Sequence, residues 1–287
     1  MFCLFWAALP LSGLLAGPAA AAPLPADTSR TFVPSPTLPR LTATLSTANR
    51  TVYLQRAPQS ADDRGYLGTL LTYQAPSGFL ASGYLNHSYA YTFLNEPFIN
   101  FGEGTLGWQS VSKSATYWVV QYTRLFVYGE SALVQASLRN DLSASVTHFF
   151  DLATASASAD VFVGSTHDFV LTLDLSHPFQ LPVLAHDTLT IEPTVEFGAG
   201  SQHFYANSLG KTSTVKVRKR TTTTVFDVPD SPGFAALGYT FSLPITYRTG
   251  RFSFAATPSY LVPLHLPSGG DDRSFFYGTL AVSCTFW

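Results

Sequence analysis

The sequence predicts an all-β fold: an antiparallel transmembrane β-barrel of about twelve strands, with ten or fourteen also compatible. Three observations predict it. The 287-residue chain is 46% hydrophobic and 14% aromatic but only 12% charged, about half the charged share of a soluble globular chain. Beyond the extreme N-terminus no apolar run approaches the roughly 20 residues that a helix needs to cross a bilayer. The apolar residues instead recur with a period of two, as a strand needs when one face meets lipid and the other a polar interior. A soluble β-sandwich or lipocalin-like barrel also alternates, but its strands are shorter and its outward face is charged.

The N-terminal stretch, apolar from Phe2 to about Leu15 and followed by Ala19, Ala20, Ala21 and Ala22, reads as a signal peptide over residues 1–22, with cleavage after Ala20, Ala21 or Ala22. Pro10, Pro18 and Pro23 argue against a buried helix there. Cleavage removes Cys3 and leaves Cys284 alone, so neither an intrachain disulfide nor a cysteine metal site is expected. Residues 23–49, rich in Pro, Ser and Thr, read as a linker, and residues 50–287 as the barrel.

The expected strands are 50–56, 65–74, 78–91, 99–111, 115–129, 141–150, 156–164, 168–178, 188–205, 234–248, 251–264 and 275–287. The clearest begins at Ala235, where Leu237, Tyr239, Phe241, Leu243, Ile245 and Tyr247 alternate with Gly238, Thr240, Ser242, Pro244 and Thr246. A tight Thr249-Gly250-Arg251 turn follows, and Phe252, Phe254, Ala256, Pro258, Tyr260, Val262 and Leu264 then share a face. Both runs exceed ten residues, the length of a tilted bilayer crossing. Tyr117–Tyr128 is apolar on both faces, so period alone does not orient it. With both termini on one side, turns after even strands should be short and loops after odd strands long. Pro178–Asp187 is the longest even turn expected, and the connection near Gly164–His167 is short where a long loop belongs.

In the final segment Leu280, Val282, Cys284 and Phe286 share a face, and the chain stops at Trp287. A last amphipathic strand ending on an aromatic resembles the C-terminal signal of Gram-negative outer-membrane β-barrel proteins, although Phe is commoner there than Trp. Thr51 to about Tyr205 also resembles uncharacterised barrel proteins of the Bacteroidota type. The resemblance implies a place in the bacterial outer membrane, with its lipid and lipopolysaccharide as surroundings and the barrel-assembly machinery as a partner through the C-terminal strand. A net charge of −2 gives no reason to expect a nucleic-acid partner.

Asp174, Glu192 and Glu196 fall on the polar faces of their strands and are candidates to line the lumen, with Glu103 joining them. They suit a cation-preferring pore or a network that holds the interior together. Lys211, Lys216, Arg218, Lys219 and Arg220, in the loop Ala206–Gly233, suit the phosphates of surface glycolipid if that loop is extracellular. A solvated hairpin extension is the simpler account of them. The Asp62-Asp63 and Asp271-Asp272 pairs offer too few oxygens for calcium, so no metal site is expected, and no motif calls for a cofactor. Asn86-His87-Ser88 does not match the His-x-Ser pattern of the outer-membrane phospholipase A family, and adjacent strand residues face opposite ways. His148, His167, His177 and His203 lack ligand spacing on a common face. Trp108, Trp118, Tyr128, Tyr247 and Trp287 suit interfacial girdles.

The functional expectation is a narrow channel for small solutes. An enzyme acting on lipid or lipopolysaccharide, or a surface barrel with a blocked lumen, are the alternatives, because one barrel fold serves all three. No catalytic residue is singled out.

Overall fold

The computed structural model describes residues 38–49, 65–88, 101–110, 115–127, 138–164, 167–184, 187–201, 203, 213–217, 220–224, 233–265 and 273–286. The signal-peptide stretch, the expected strand at 50–56, both Asp pairs, Tyr128 and Trp287 lie outside them.

The first strand is β1 (Arg40–Ala48), inside the stretch read as linker. Its outward residues Leu41, Ala43, Leu45 and Thr47 are too weakly apolar a stripe to stand out from the sequence before it. β2 (Tyr66–Gln74), β3 (Phe79–Ser88), β4 (Phe101–Gln109), β5 (Thr116–Val127), β6 (Leu138–Phe149), β7 (Thr154–Gly164) and β8 (His167–Ser176) follow as an antiparallel meander. Next come β9 (Phe179–Leu184), β10 (Asp187–Ile191) and β11 (Thr194–Gly200). A separate hairpin of β12 (Ser213–Val217) and β13 (Arg220–Thr224) precedes β14 (Ala235–Ser242), β15 (Ile245–Thr249), β16 (Phe252–Pro263) and β17 (Phe275–Thr285). β17 pairs with β1 from Thr42↔Thr285 to Ala48↔Thr279, and this closes the cylinder. Closure joins the first and last strands of the wall and so removes the two long free edges that an open sheet would expose to lipid.

Twelve strands make the wall, because three pairs of segments are each one strand interrupted at a proline. β8 continues as β9 through Pro178, β10 as β11 through Pro193, and β14 as β15 through Pro244. Proline has no N–H to give the ladder, but its carbonyl still accepts. His177 N donates to Pro193 O, Glu192 N to Pro244 O, and Leu243 N to Pro258 O, at 3.2, 2.9 and 3.0 Å. The prolines thus form a row across four neighbouring strands, and pairing resumes beyond it.

The expected Pro178–Asp187 turn is therefore corrected. Phe179–Ile191 pairing continues the ladder as far as Leu184↔Asp187, and the reversal is tight. β7 has already ended at its pairing of Thr154 with Ser176, so β9 pairs only with β10. Pro182 sits in this edge strand, where a missing donor is tolerated.

The other connections at this end are also short, and Gly78 (φ 94°) and Gly250 (φ 55°) supply the left-handed residues that two of those turns need. Phe286 N donates to Leu41 O, so both described chain ends lie at this turn end. The longer connections gather at the opposite, loop end, except that β7 and β8 reverse across residues 165–166. The hairpin β12–β13 belongs to the longest loop.

Candidate functional site

Closure gives every side chain one of two fates. Outward lie Leu106, Trp108, Trp118, Val120, Phe126, Leu142, Val146, Leu173, Leu175, Phe241, Phe254 and Val282, all large, apolar and exposed. Inward lie the buried polar groups, among them Gln121, Thr123, Asp141, Ser143, Asp160, Asp168, Thr240 and Ser259. This inverts the soluble arrangement and defines a membrane barrel with a polar lumen. Trp108 and Trp118, near the turn end, stand outward as a girdle requires. Tyr247 also lies near that end, where its hydroxyl donates to Asp187 Oδ2 at 2.6 Å.

The four lumen candidates share the inward face. Glu196 stands directly opposite Asp174 on β8, and the two are electrostatic neighbours. Ser176 Oγ, two residues from Asp174, donates to Glu192 Oε1 at 2.7 Å. Glu103 sits on β4 opposite Tyr84 of β3. Sequence reasoning missed Asp141, Asp160 and Asp168. Asp141 and Asp160 stand at strand positions flanked by Ser, Ala and Leu, which gives no strong alternation to reveal the inward side.

Burial varies with depth. Toward the turn end the inward residues Ser145, Thr147, Ser156, Ser158, Thr172, Asp174, Glu196, Ser253, Ala255 and Thr257 are half-buried. Toward the loop end Tyr66, Asp141, Asp160, Phe162, Asp168, Val170, Leu237 and Leu261 are each 3% exposed or less. On β6–β8, β11 and β16 the inward side chains are therefore more enclosed toward the loops, whereas on β2–β5 Gln74, Leu80, Gln109 and Val119 are buried toward the turns as well.

Ionisable side chains run around much of the wall. Asp174 neighbours Glu196, Glu196 neighbours Tyr277, and Tyr277 neighbours Tyr66. Tyr66 in turn neighbours Tyr84, Tyr84 neighbours Glu103, and Asp141 has both Glu103 and Asp160 beside it. The arc across β16, β17 and β1 carries hydroxyls instead. Thr44 Oγ1 and Ser283 Oγ share a hydrogen bond of 2.8 Å, and Thr42 and Thr285 one of 3.3 Å. Thr105 and Thr123 hydroxyls do the same at 2.9 Å on the acidic side.

At the loop-end rim Asp168, Ser201 and His203 meet. Ser201 Oγ donates to Asp168 Oδ1 at 2.6 Å, His203 N donates to the same oxygen at 2.9 Å, and His203 Nδ1 lies 3.1 Å from it. Phe169 N donates to Ser201 Oγ. A nucleophilic serine needs the imidazole between itself and the acid. Here the acid is in the middle and takes the serine proton, so the cluster fastens the chain leaving β11 to β8. The remaining histidines are spread out: His148 Nδ1 meets Thr116 Oγ1 at 2.8 Å, and His177 Nδ1 meets Leu152 O. Lys216 lies in β12 and Arg220 in β13, while Lys211, Arg218 and Lys219 lie outside the described residues.

No protein-family model and no curated protein sequence matches the chain. Among solved structures it is similar to a KdgM porin, with 9% identity, 86% of this chain and 99% of that one covered, and a TM-score of 0.49. It is also similar to LpxR from Salmonella typhimurium, with 10% identity, 85% and 100% covered, and a TM-score of 0.48. A NanC porin gives 10% identity, 85% and 98% covered, and a TM-score of 0.48.

Proposed function

We propose that this chain is an outer-membrane channel for small solutes. The observation that carries the reading is the polar, acidic lumen. Its polar lining runs along the wall from the half-buried Glu192, Asp174 and Glu196 to the tightly enclosed Asp141 and Asp160. A barrel that served only as a scaffold has no need to align carboxylates with the axis, because charges in a filled interior cost desolvation unless they are paired. Glu103, Asp174, Glu192 and Glu196 are, in this reading, groups that solute passes. The outer-membrane lipid and the assembly machinery are its surroundings and its partner in this reading, and the resemblance over Thr51–Tyr205 supports a place among Bacteroidota-type barrels.

The fully enclosed inward side chains, Tyr66, Phe162, Leu237 and Leu261 among them, favour a second reading, a surface barrel with a blocked lumen. Planar-bilayer recording of the refolded chain separates the two. Discrete steps with cation preference, weakened in Glu192→Gln and Glu196→Gln, are expected of the channel. A correctly folded barrel that passes no current would leave the blocked lumen as the reading to pursue.

A further inference from the structure

We propose that Asp141 and Asp160 form a binding site for an organic ammonium group in the enclosed part of the lumen, an inference that rests on the channel reading for its biological use. Asp141 lies on the inward face of β6, opposite Thr123 on β5. It is 1% exposed, and neither of its carboxylate oxygens has a hydrogen-bond donor. Asp160, one strand over and 3% exposed, leaves Oδ1 without a donor, while Ser143 and Ser158 hydrogen-bond to its carboxylate. Asp141 with two open acceptors and Asp160 with one, and Glu103 as an electrostatic neighbour of Asp141, make a concentration of acceptors that the wall satisfies only in part. Such groups are normally paired, and orphaned ones point to a partner that arrives from outside.

Among the described residues no ion pair to Asp141 or Asp160 is formed. Arg124 is one strand from Asp141, but it donates from the outer face, its Nη1 reaching Asn140 Oδ1 at 2.6 Å.

The chemistry of the acceptors selects the visitor. Calcium needs six to eight oxygens closely gathered, and among the described residues no three His, Cys, Asp or Glu side chains come close enough to hold a metal ion. An alkylammonium carries three donors on one nitrogen, enough for Asp141 and Asp160 to share. A protonated carboxylic acid would bring one donor and leave the other acceptors unpaired.

The test is titration calorimetry of the full refolded chain in detergent with 1,4-diaminobutane, and separately with calcium chloride. Heat-modifiable gel migration checks folding of each variant. Saturable binding of the diamine, weakened at least about tenfold in Asp141→Asn and in Asp160→Asn and not displaced by calcium, is expected. Absence of diamine binding, equal binding by both folded variants, or calcium binding that displaces the diamine would overturn the site. Bilayer recordings on the same preparations separate this from the channel reading. Silence with diamine binding intact removes the channel and leaves the site, whereas current without diamine binding removes the site and leaves the channel.

Discussion

Tyr84 lies across the face of Gly68: a Cβ on that glycine would stand 2.6 Å from the tyrosine hydroxyl and 2.8 Å from Ser46 Oγ. Gly68 is thus the gap through which a β3 side chain reaches over β2 toward β1. A side chain at 68 must displace Tyr84, which is a flexible end rather than backbone. Gly68→Val is therefore expected to keep the barrel folded, with heat-modifiable migration unchanged, but to alter unit conductance in bilayers. Loss of folding would show that the glycine serves the backbone instead.

Barrel closure through Arg40–Ala48 gives a covalent test. Thr44 and Ser283 face each other with hydroxyls 2.8 Å apart. In a Cys284→Ser background, the pair Thr44→Cys and Ser283→Cys should oxidise to an intrachain disulfide, seen as a mobility difference on non-reducing gels. Absence of crosslinking in the folded protein would argue that another segment completes the wall.

Leu173 is 53% exposed on the outer face, beside Leu175 on the same strand. If this face meets lipid, Leu173→Arg should destabilise the barrel by about 2–4 kcal/mol near the bilayer midplane. The inward neighbour substitution Thr172→Ser should change stability little. Urea unfolding in lipid vesicles measures both, and a near-neutral Leu173→Arg would contradict the membrane-facing assignment.

Asp168 takes three contacts on one oxygen while its side chain is fully enclosed. Asp168→Ala leaves Ser201 Oγ and the His203 N–H without their acceptor, a loss of roughly 1.5–3 kcal/mol per bond to a charged group before relaxation. The expected outcome is faster proteolytic nicking after Gly200 with the barrel intact. Unchanged protease resistance would mean that other contacts hold this segment.

Much of the wall was legible along the chain. The runs from Ala235 and from Phe252 announce strands because lipid outside and polar lumen inside impose opposite demands on alternate residues, and β14, β15 and β16 lie where they fall. Leu280, Val282, Cys284 and Phe286 likewise share one face of the last strand, with Val282 and Phe286 exposed on it. Arg40–Ala48 escaped because its outward stripe is weak, and its place in the wall depends on meeting β17 more than 200 residues later. Phe179–Leu184 escaped because proline reads as a stop in one strand. Only neighbouring strands broken at matching positions let pairing resume beyond it.

By itself, then, the sequence determined an antiparallel membrane barrel and, where one face is clearly apolar, which alternate residues turn inward, because period two is a local property of extended backbone. It placed Glu103, Asp174, Glu192 and Glu196 among the inward-facing candidates for the same reason. Only the tertiary structure decided that Glu196 stands opposite Asp174 and that Asp141 comes near both Asp160 and Glu103. Those are relations between strands, set by register and closure around the cylinder. No single strand carries that information, because sliding one strand past its neighbour changes every partner while leaving the strand's own pattern intact.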